Sequence, residues 1–221
     1  MLAPHLDTHL NLQALQNLLP HLQQNLKAWL LDARIEVREL ILTVKPEGIQ
    51  PVLTFLKNND ACQFTQLIDI CGVDYLGHTP AHPQRFAVAY HLLSLSLNQR
   101  IRVKAYLNEG ESIPTISTIY PAANWYERET YDMYGIPFEG HPDLRRLLTD
   151  YDFEGFPLRK DFPLEGHVEV YYDAEQKRVA YKPVDLPQEF RHFDDVNQWS
   201  GADKNAHLAD ANNTFNREDF K

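Results

Sequence analysis

Two runs set back to back, RFAVAYHLLSLSL and RIRVKAYL over residues 85–107, constrain this chain more than any other feature. Both alternate apolar with polar or charged residues, the period of a strand that buries one face. Only Asn98 and Gln99 separate them, so the pair is predicted to fold back as an antiparallel hairpin. At 221 residues the chain is long enough to place that hairpin in one sizeable core.

The preceding segments supply the rest of such a core. Residues 8–31 carry leucines at helical spacing and predict an amphipathic helix, kinked at Pro20, which cannot donate the interior hydrogen bond. EVRELILTV at 36–44 predicts a strand, PEGIQPVLTFLKNN at 46–59 a short helix, and FTQLIDICGVDYL at 64–76 another strand. The order helix, strand, helix, then several strands predicts an α+β fold: a mixed open sheet covered by helices, followed by a long irregular segment and an extended C-terminal arm. The expected divisions are an α/β globular domain over 1–166, a docking arm over 167–199 and a disordered tail over 200–221.

From Pro121, PAANWYERETYDMYG predicts a helix that ends at Gly135, a residue suited to a left-handed cap. On a helical wheel Ala122, Trp125, Tyr126 and Met133 share an apolar face, and Glu129 falls among them. Arg128 and Asp132, at i and i+4, are expected to pair on another face. A buried carboxylate is costly without a partner, so Glu129 is expected to ion-pair with Arg145 or Arg146, with Arg159 and Lys160 the other nearby donors. After Gly135, prolines and glycines every few residues sustain neither helix nor strand. Such a segment must satisfy its backbone through side chains or another surface. VEVYYDAEQKRVAYKPV then predicts an exposed hairpin, and Phe190, Phe193 and Trp199 on an aperiodic stretch predict docking onto another protein.

Several chemistries find no support. A formal net charge of −10 with no basic face argues against a nucleic-acid partner. Cys62 and Cys71 have neither metal-knuckle nor disulfide-scaffold spacing, and a reducing compartment is expected. No nucleotide-binding glycine motif, nucleophile elbow or cysteine-nucleophile signature occurs. No apolar run is long enough to span a bilayer, and the N-terminus does not read as a signal peptide. His78 and His82 lie in a Pro-rich loop, and His5 and His9 fit the solvated side of the first helix. Glu139, His141 and Asp143 could in principle make a metal or general-base site, although clustered charges of this kind also build structural ion-pair networks.

YERETYDMYGIPFEGHPDLRRLLTDYDFEGFPLRKDFPLEG, residues 126–166, resembles the signature of the NADH-quinone oxidoreductase C-subunit family, found in the peripheral arm of respiratory complex I. The resemblance is carried by Glu127-Arg128-Glu129, Asp132-Met133-Tyr134-Gly135, His141-Pro142-Asp143, the pair Arg145 and Arg146, and GFPLRKDFP with Arg159, Lys160 and Asp161. The upstream α/β portion and the stretch VAYKPVDLPQEFRHF are compatible with the same family. The resemblance implies a scaffold subunit with no catalytic, cofactor-binding or metal residues of its own, bracing the peripheral arm next to the quinone-binding D-subunit. NADH, FMN, iron-sulfur clusters and quinone would then be bound by other subunits. It also implies membrane association only through the assembly, on the cytoplasmic side in a bacterium or the matrix side for an organelle-encoded chain. The competing readings are a scaffold in a related membrane-bound hydrogenase or photosynthetic complex I-like enzyme, and a metal-dependent hydrolase using Glu139, His141 and Asp143.

Overall fold

The computed structural model describes residues 8–188, and the chain divides between His167 and Val168 into two units. In the first unit Leu30–Glu36 (β1), Glu39–Val44 (β2), Gln66–Asp74 (β3), Phe86–Ser94 (β4) and Gln99–Leu107 (β5) form one sheet in the order β1-β2-β5-β4-β3. Neighbours are antiparallel except β2 and β5, which run parallel, so the sheet is mixed as expected. β4 and β5 are the anticipated hairpin. Ser94 pairs with Gln99, which makes Leu95–Asn98 the turn and moves Gln99 from the expected connection into the strand.

Alternation sorts the side chains of this sheet. Leu40, Leu42, Val44, Val88, Tyr90, Leu92, Val103 and Ala105 share one core with helices Thr8–Asn25 (α1) and Ile49–Asn58 (α2). α1 contributes Leu15, Leu18 and Leu22 at spacings of three and four, Leu26 follows just past its end, and α2 contributes Ile49, Val52, Leu53 and Leu56. Each fully buried aliphatic side chain stabilises by roughly 1.5–3 kcal/mol. α1 runs through Pro20, which lies exposed on its outer side. On the other face of the sheet His91, Arg102, Lys104 and Tyr106 stay half-buried.

Two expectations fail between α1 and β2. The helix stops at Asn25, so residues 30–31 belong to β1, and the strand predicted over 36–44 is the second arm of a hairpin. Val37 and Arg38 form its turn with φ of 49° and 64°. A two-residue turn with both residues at positive φ matches strand twist but is usually written with Asn or Gly, so Val-Arg gave no signal.

Ala123–Tyr134 (α3) packs on β3 and ends at Gly135, whose φ of 72° makes it the predicted left-handed cap. The Tyr134 ring lies directly over Gly72, where no side chain could be accommodated. Short parallel strands Ile113–Pro114 (β6) and Phe138–Glu139 (β7) tie the chain before α3 to the chain after it. In the second unit Val168–Asp173 (β8) and Arg178–Pro183 (β9) form the expected antiparallel hairpin, with Val170, Tyr172, Val179 and Tyr181 exposed. Phe190, Phe193, Trp199 and residues 200–221 lie outside the described residues, as do the side chains of His5 and His9.

Candidate functional site

The segment that carries the resemblance is built on α3, and the buried face of that helix is polar. Glu127, Arg128, Thr130 and Asp132 are buried, whereas Trp125 is 65% exposed and Glu129 faces solvent. This overturns the wheel reading at Ala122, Trp125 and Glu129, although Met133 is buried and Tyr126 packs against the core as expected. Glu129 has no hydrogen bond or ion pair among the described residues, and Arg128 does not pair with Asp132. The reason is the partners: buried charge is tolerated where it is hydrogen-bonded, and the partners of these side chains come from distant segments that a wheel cannot see.

Asp132 is the centre of the arrangement. Its Oδ2 accepts the backbone N–H groups of Leu147, Leu148 and Thr149 at 2.9, 2.7 and 2.9 Å. Its Oδ1 accepts from Arg146 Nη1 at 2.9 Å and from the Thr149 hydroxyl at 2.5 Å. Burial opposes ionisation, yet Thr149, Arg146 and the Leu147 amide together hold this carboxyl well below the usual carboxylate range. Arg146 also donates to Gly155 O at 2.9 Å and lies against the Phe153 and Phe156 rings. One turn earlier on α3, Arg128 donates to the carbonyls of Arg145 and Arg146 at 3.2 and 3.0 Å. The helix thus supplies acceptors to the amides and donors to the carbonyls of the same loop. The expected stapling of the irregular segment is real, but Arg146 answers Asp132, and Arg145 turns outward to Asp143 at 2.9 Å.

Glu127 faces the other way, into the protein. Its carboxylate accepts the Ile116 N–H at 2.7 Å and the Thr115 hydroxyl. Burial pushes its pKa up to about 7, against the opposing pull of those two donors. His141 Nε2 donates to Asn124 O at 3.1 Å and lies 3.8 Å from Glu127, while its Nδ1 accepts the Asp143 N–H at 3.0 Å. A ring that accepts at Nδ1 and donates at Nε2 is the neutral tautomer. Both nitrogens are therefore engaged by backbone, Asp143 is committed to Arg145, and Glu139 is exposed, so this trio presents no open ligand set. Pro142 lies exposed at the tip of this loop.

The last part of the segment is locked to the sheet. Gly135 lies under Phe156 and Arg159: an added Cβ would fall 2.5 Å from the ring and 2.8 Å from the guanidinium. Arg159 donates to Tyr134 O at 2.7 Å and to Glu109 at 2.6 Å. The Lys160 N–H donates to Asp74 at 3.0 Å, and Asp161 pairs with Arg85 at 2.7 Å. Arg85 also contacts Asp74 and Glu109, so the end of the sheet and the irregular segment share one ionic network. Sequence reasoning missed Asp74, Arg85, Glu109, Thr115 and Thr149. Each is an ordinary residue in its local context, and the acids that meet Arg85 come from positions 74, 109 and 161, so no local signal marked the network. Cys62 is buried and its thiol is pushed up to about 11, while burial and neighbouring Asp69 push Cys71 up to about 12. Among the described residues no group of histidines, cysteines and acids could hold a metal ion, and no helix is long and apolar enough to cross a membrane.

Residues 42–168 match the family model described as respiratory-chain NADH dehydrogenase, 30 Kd subunit. The chain is 54% identical over 200 residues to the NADH-quinone oxidoreductase C-subunit of Methylobacterium sp. (strain 4-46), covering 90% of this chain and 91% of that one. It is 57% identical over 164 residues to the protein of the same name from Maricaulis maris (strain MCS10), covering 74% and 80%. Among solved structures, the trypsin-resistant fragment of Nqo5 matches at a TM-score of 0.52 and 33% identity over 59% of this chain and 99% of that fragment. A chain of an archaeal respiratory membrane complex, the membrane-bound sulfane sulfur reductase, matches at a TM-score of 0.55 and 26% identity, over 67% and 85%.

Proposed function

The chain belongs to the respiratory-chain NADH dehydrogenase 30 Kd subunit family, that of the NADH-quinone oxidoreductase C-subunits, and on that premise we propose that it is a cofactor-free structural subunit bracing the peripheral arm of complex I beside the D-subunit. The observation that carries this reading is where the charges go. Glu127, Arg128, Asp132, Arg146 and Arg159 each hydrogen-bond a backbone group of the same chain, and their side-chain partners lie within it as well. A site for bond-making chemistry would keep such groups free in a cleft; here they rigidify an irregular segment so that its outer surface has a fixed shape. Two cysteines fall short of the four thiolates that hold an iron-sulfur cluster, which supports leaving the clusters, and with them NADH, FMN and quinone, to other subunits. Membrane association then runs through the assembly, on the cytoplasmic side for a bacterial chain.

The test is a native pull-down of the full chain followed by mass spectrometry and metal analysis. Co-purification with other NADH-quinone oxidoreductase subunits, the D-subunit among them, and a colourless, metal-free purified chain are the expected results. Stoichiometric iron or zinc would overturn the scaffold reading and return the hydrolase reading to consideration. The likeness to a chain of the sulfane sulfur reductase complex favours one second reading, the same scaffold role in a related membrane-bound assembly. Co-purification with hydrogenase-type or reductase-type subunits in place of the D-subunit would select it.

A further inference from the structure

Two side chains on the exposed face of α3 are little used inside the chain, where Trp125 meets only the edge of the clamp through Arg128. Trp125 is 65% exposed, an unusual place for the largest apolar ring. Glu129, one turn on, is exposed and has no hydrogen bond or ion pair among the described residues. Residues at i and i+4 are surface neighbours on a helix, so an indole face and an uncommitted carboxylate sit side by side. The loop that α3 clamps continues the patch. Arg128, 5.9 Å from the Trp125 ring centroid, holds the Arg145 and Arg146 carbonyls, and Arg145 reaches the Tyr151 hydroxyl at 3.4 Å. Leu148 and Tyr151 in this loop are 61% and 73% exposed. The backbone beneath them is fixed by Asp132, so the surface is rigid before anything binds, which lowers the entropic cost of docking.

We propose that the outer face of α3 at Trp125 and Glu129, extended by Leu148 and Tyr151, seats a basic amphipathic segment of a neighbouring protein subunit, with an arginine laid on the Trp125 ring and paired to Glu129. The proposal rests on the scaffold reading above and names the surface through which it acts. Charge decides the occupant. The uncommitted group beside the ring is an anion, and the whole chain carries a formal net charge of −10, so a second copy of this chain or an acidic segment would meet repulsion. A guanidinium satisfies both elements at once, because it stacks on aromatic faces and forms bidentate bonds with carboxylates. Trp, Tyr and Arg at the centre of a rigid patch are also the residue types that carry most of the binding energy at interfaces.

The experiment uses the full chain expressed in cells lacking the native copy, with the assembled enzyme purified through another of its subunits. Glu129→Lys and Trp125→Ala are each expected to reduce retention of the chain in the purified assembly by about tenfold or more, and Glu129→Gln by a smaller factor. Thermal melting of the Glu129 variants should match the parent chain, since Glu129 makes no hydrogen bond or ion pair among the described residues, and Trp125→Ala should melt within about 2–4 °C of it, the cost of one exposed contact with Arg128. Raising salt should release the parent chain progressively and the Glu129→Gln variant less steeply. A photo-crosslinking residue in place of Trp125 should capture an arginine- or lysine-bearing peptide of another subunit. If the parent chain is retained and Glu129→Lys and Trp125→Ala are retained equally, or the captured peptide is acidic or from a second copy, the inference is overturned while the scaffold reading stands. If the parent chain itself is never retained, the scaffold reading fails first and takes this surface with it.

Discussion

Replacing Asp132 by Asn keeps the shape of the side chain and removes what it does. The carboxylate offers acceptors in two directions, three amides on one oxygen and Arg146 with the Thr149 hydroxyl on the other. An amide offers an acceptor in one direction and an NH2 in the other. Whichever way it turns, the NH2 meets groups that also donate, and Arg146, only 16% exposed at its side chain, loses its counter-charge. Breaking a buried pair in this way costs roughly 3–5 kcal/mol, with the loop hydrogen bonds included rather than added. For a chain of this size each kcal/mol moves the melting temperature by about 2–4 °C, so a fall of about 6–20 °C is expected. Melting followed by circular dichroism gives the global effect, and hydrogen exchange at the amides of residues 147–149 gives the local one. The pH dependence has a fixed sign. The folded carboxyl is held below its unfolded value of about 3.9, so its contribution is complete at neutral pH and is lost as pH falls below about 4 through the folded value. Asp132→Asn should therefore match the parent only in strong acid. A variant that melts within 2 °C of the parent at pH 7, with unchanged exchange at those amides, would refute the idea that this carboxylate organises the loop (the threshold being about 1 kcal/mol).

Glu127 should behave in the opposite sense. Its folded pKa of about 7 lies above the unfolded value of roughly 4.3, so the fold keeps a proton that the unfolded chain releases, and stability falls as pH rises between those values. Glu127→Gln is expected to flatten the melting profile between about pH 4 and 7 and to stabilise the chain at pH 8 by on the order of 1–3 kcal/mol; an unchanged slope would disprove the buried acid's role. Gly135→Ala should cost roughly 2 kcal/mol or more, from the left-handed backbone and the collision with Phe156, whereas Gly166→Ala, at φ 74° in open space, should cost only the backbone share of about 1–2 kcal/mol by urea denaturation.

Much of this architecture was legible where local chemistry and tertiary structure agree. The β4–β5 hairpin showed in its alternation, α3 in its helical pattern and Gly135 cap, and the mixed sheet with its helices in the order of elements. The β1–β2 hairpin was not legible, because Val37 and Arg38 are poor formers of a positive-φ turn and are held there by the strands they join. The buried face of α3 misled for a related reason. Ala122, Trp125, Tyr126 and Met133 marked an apolar stripe with Glu129 among them, while the helix in fact turns Glu127 and Asp132 inward. The amides of Ile116 and Leu147 to Thr149 stabilise that orientation, and nothing near α3 in sequence announces them.

The clamp of Arg128 and Asp132 on residues 145–149 also makes the loop conditional on the rest of the unit. The loop has no sheet or helix of its own, so its shape depends on α3 being formed and seated on β3, which is paired with β4. The outward surface is therefore a readout of completed folding. A chain with a misregistered sheet would present no such face, and other subunits would meet a recognisable contour only on copies that had already passed that inspection.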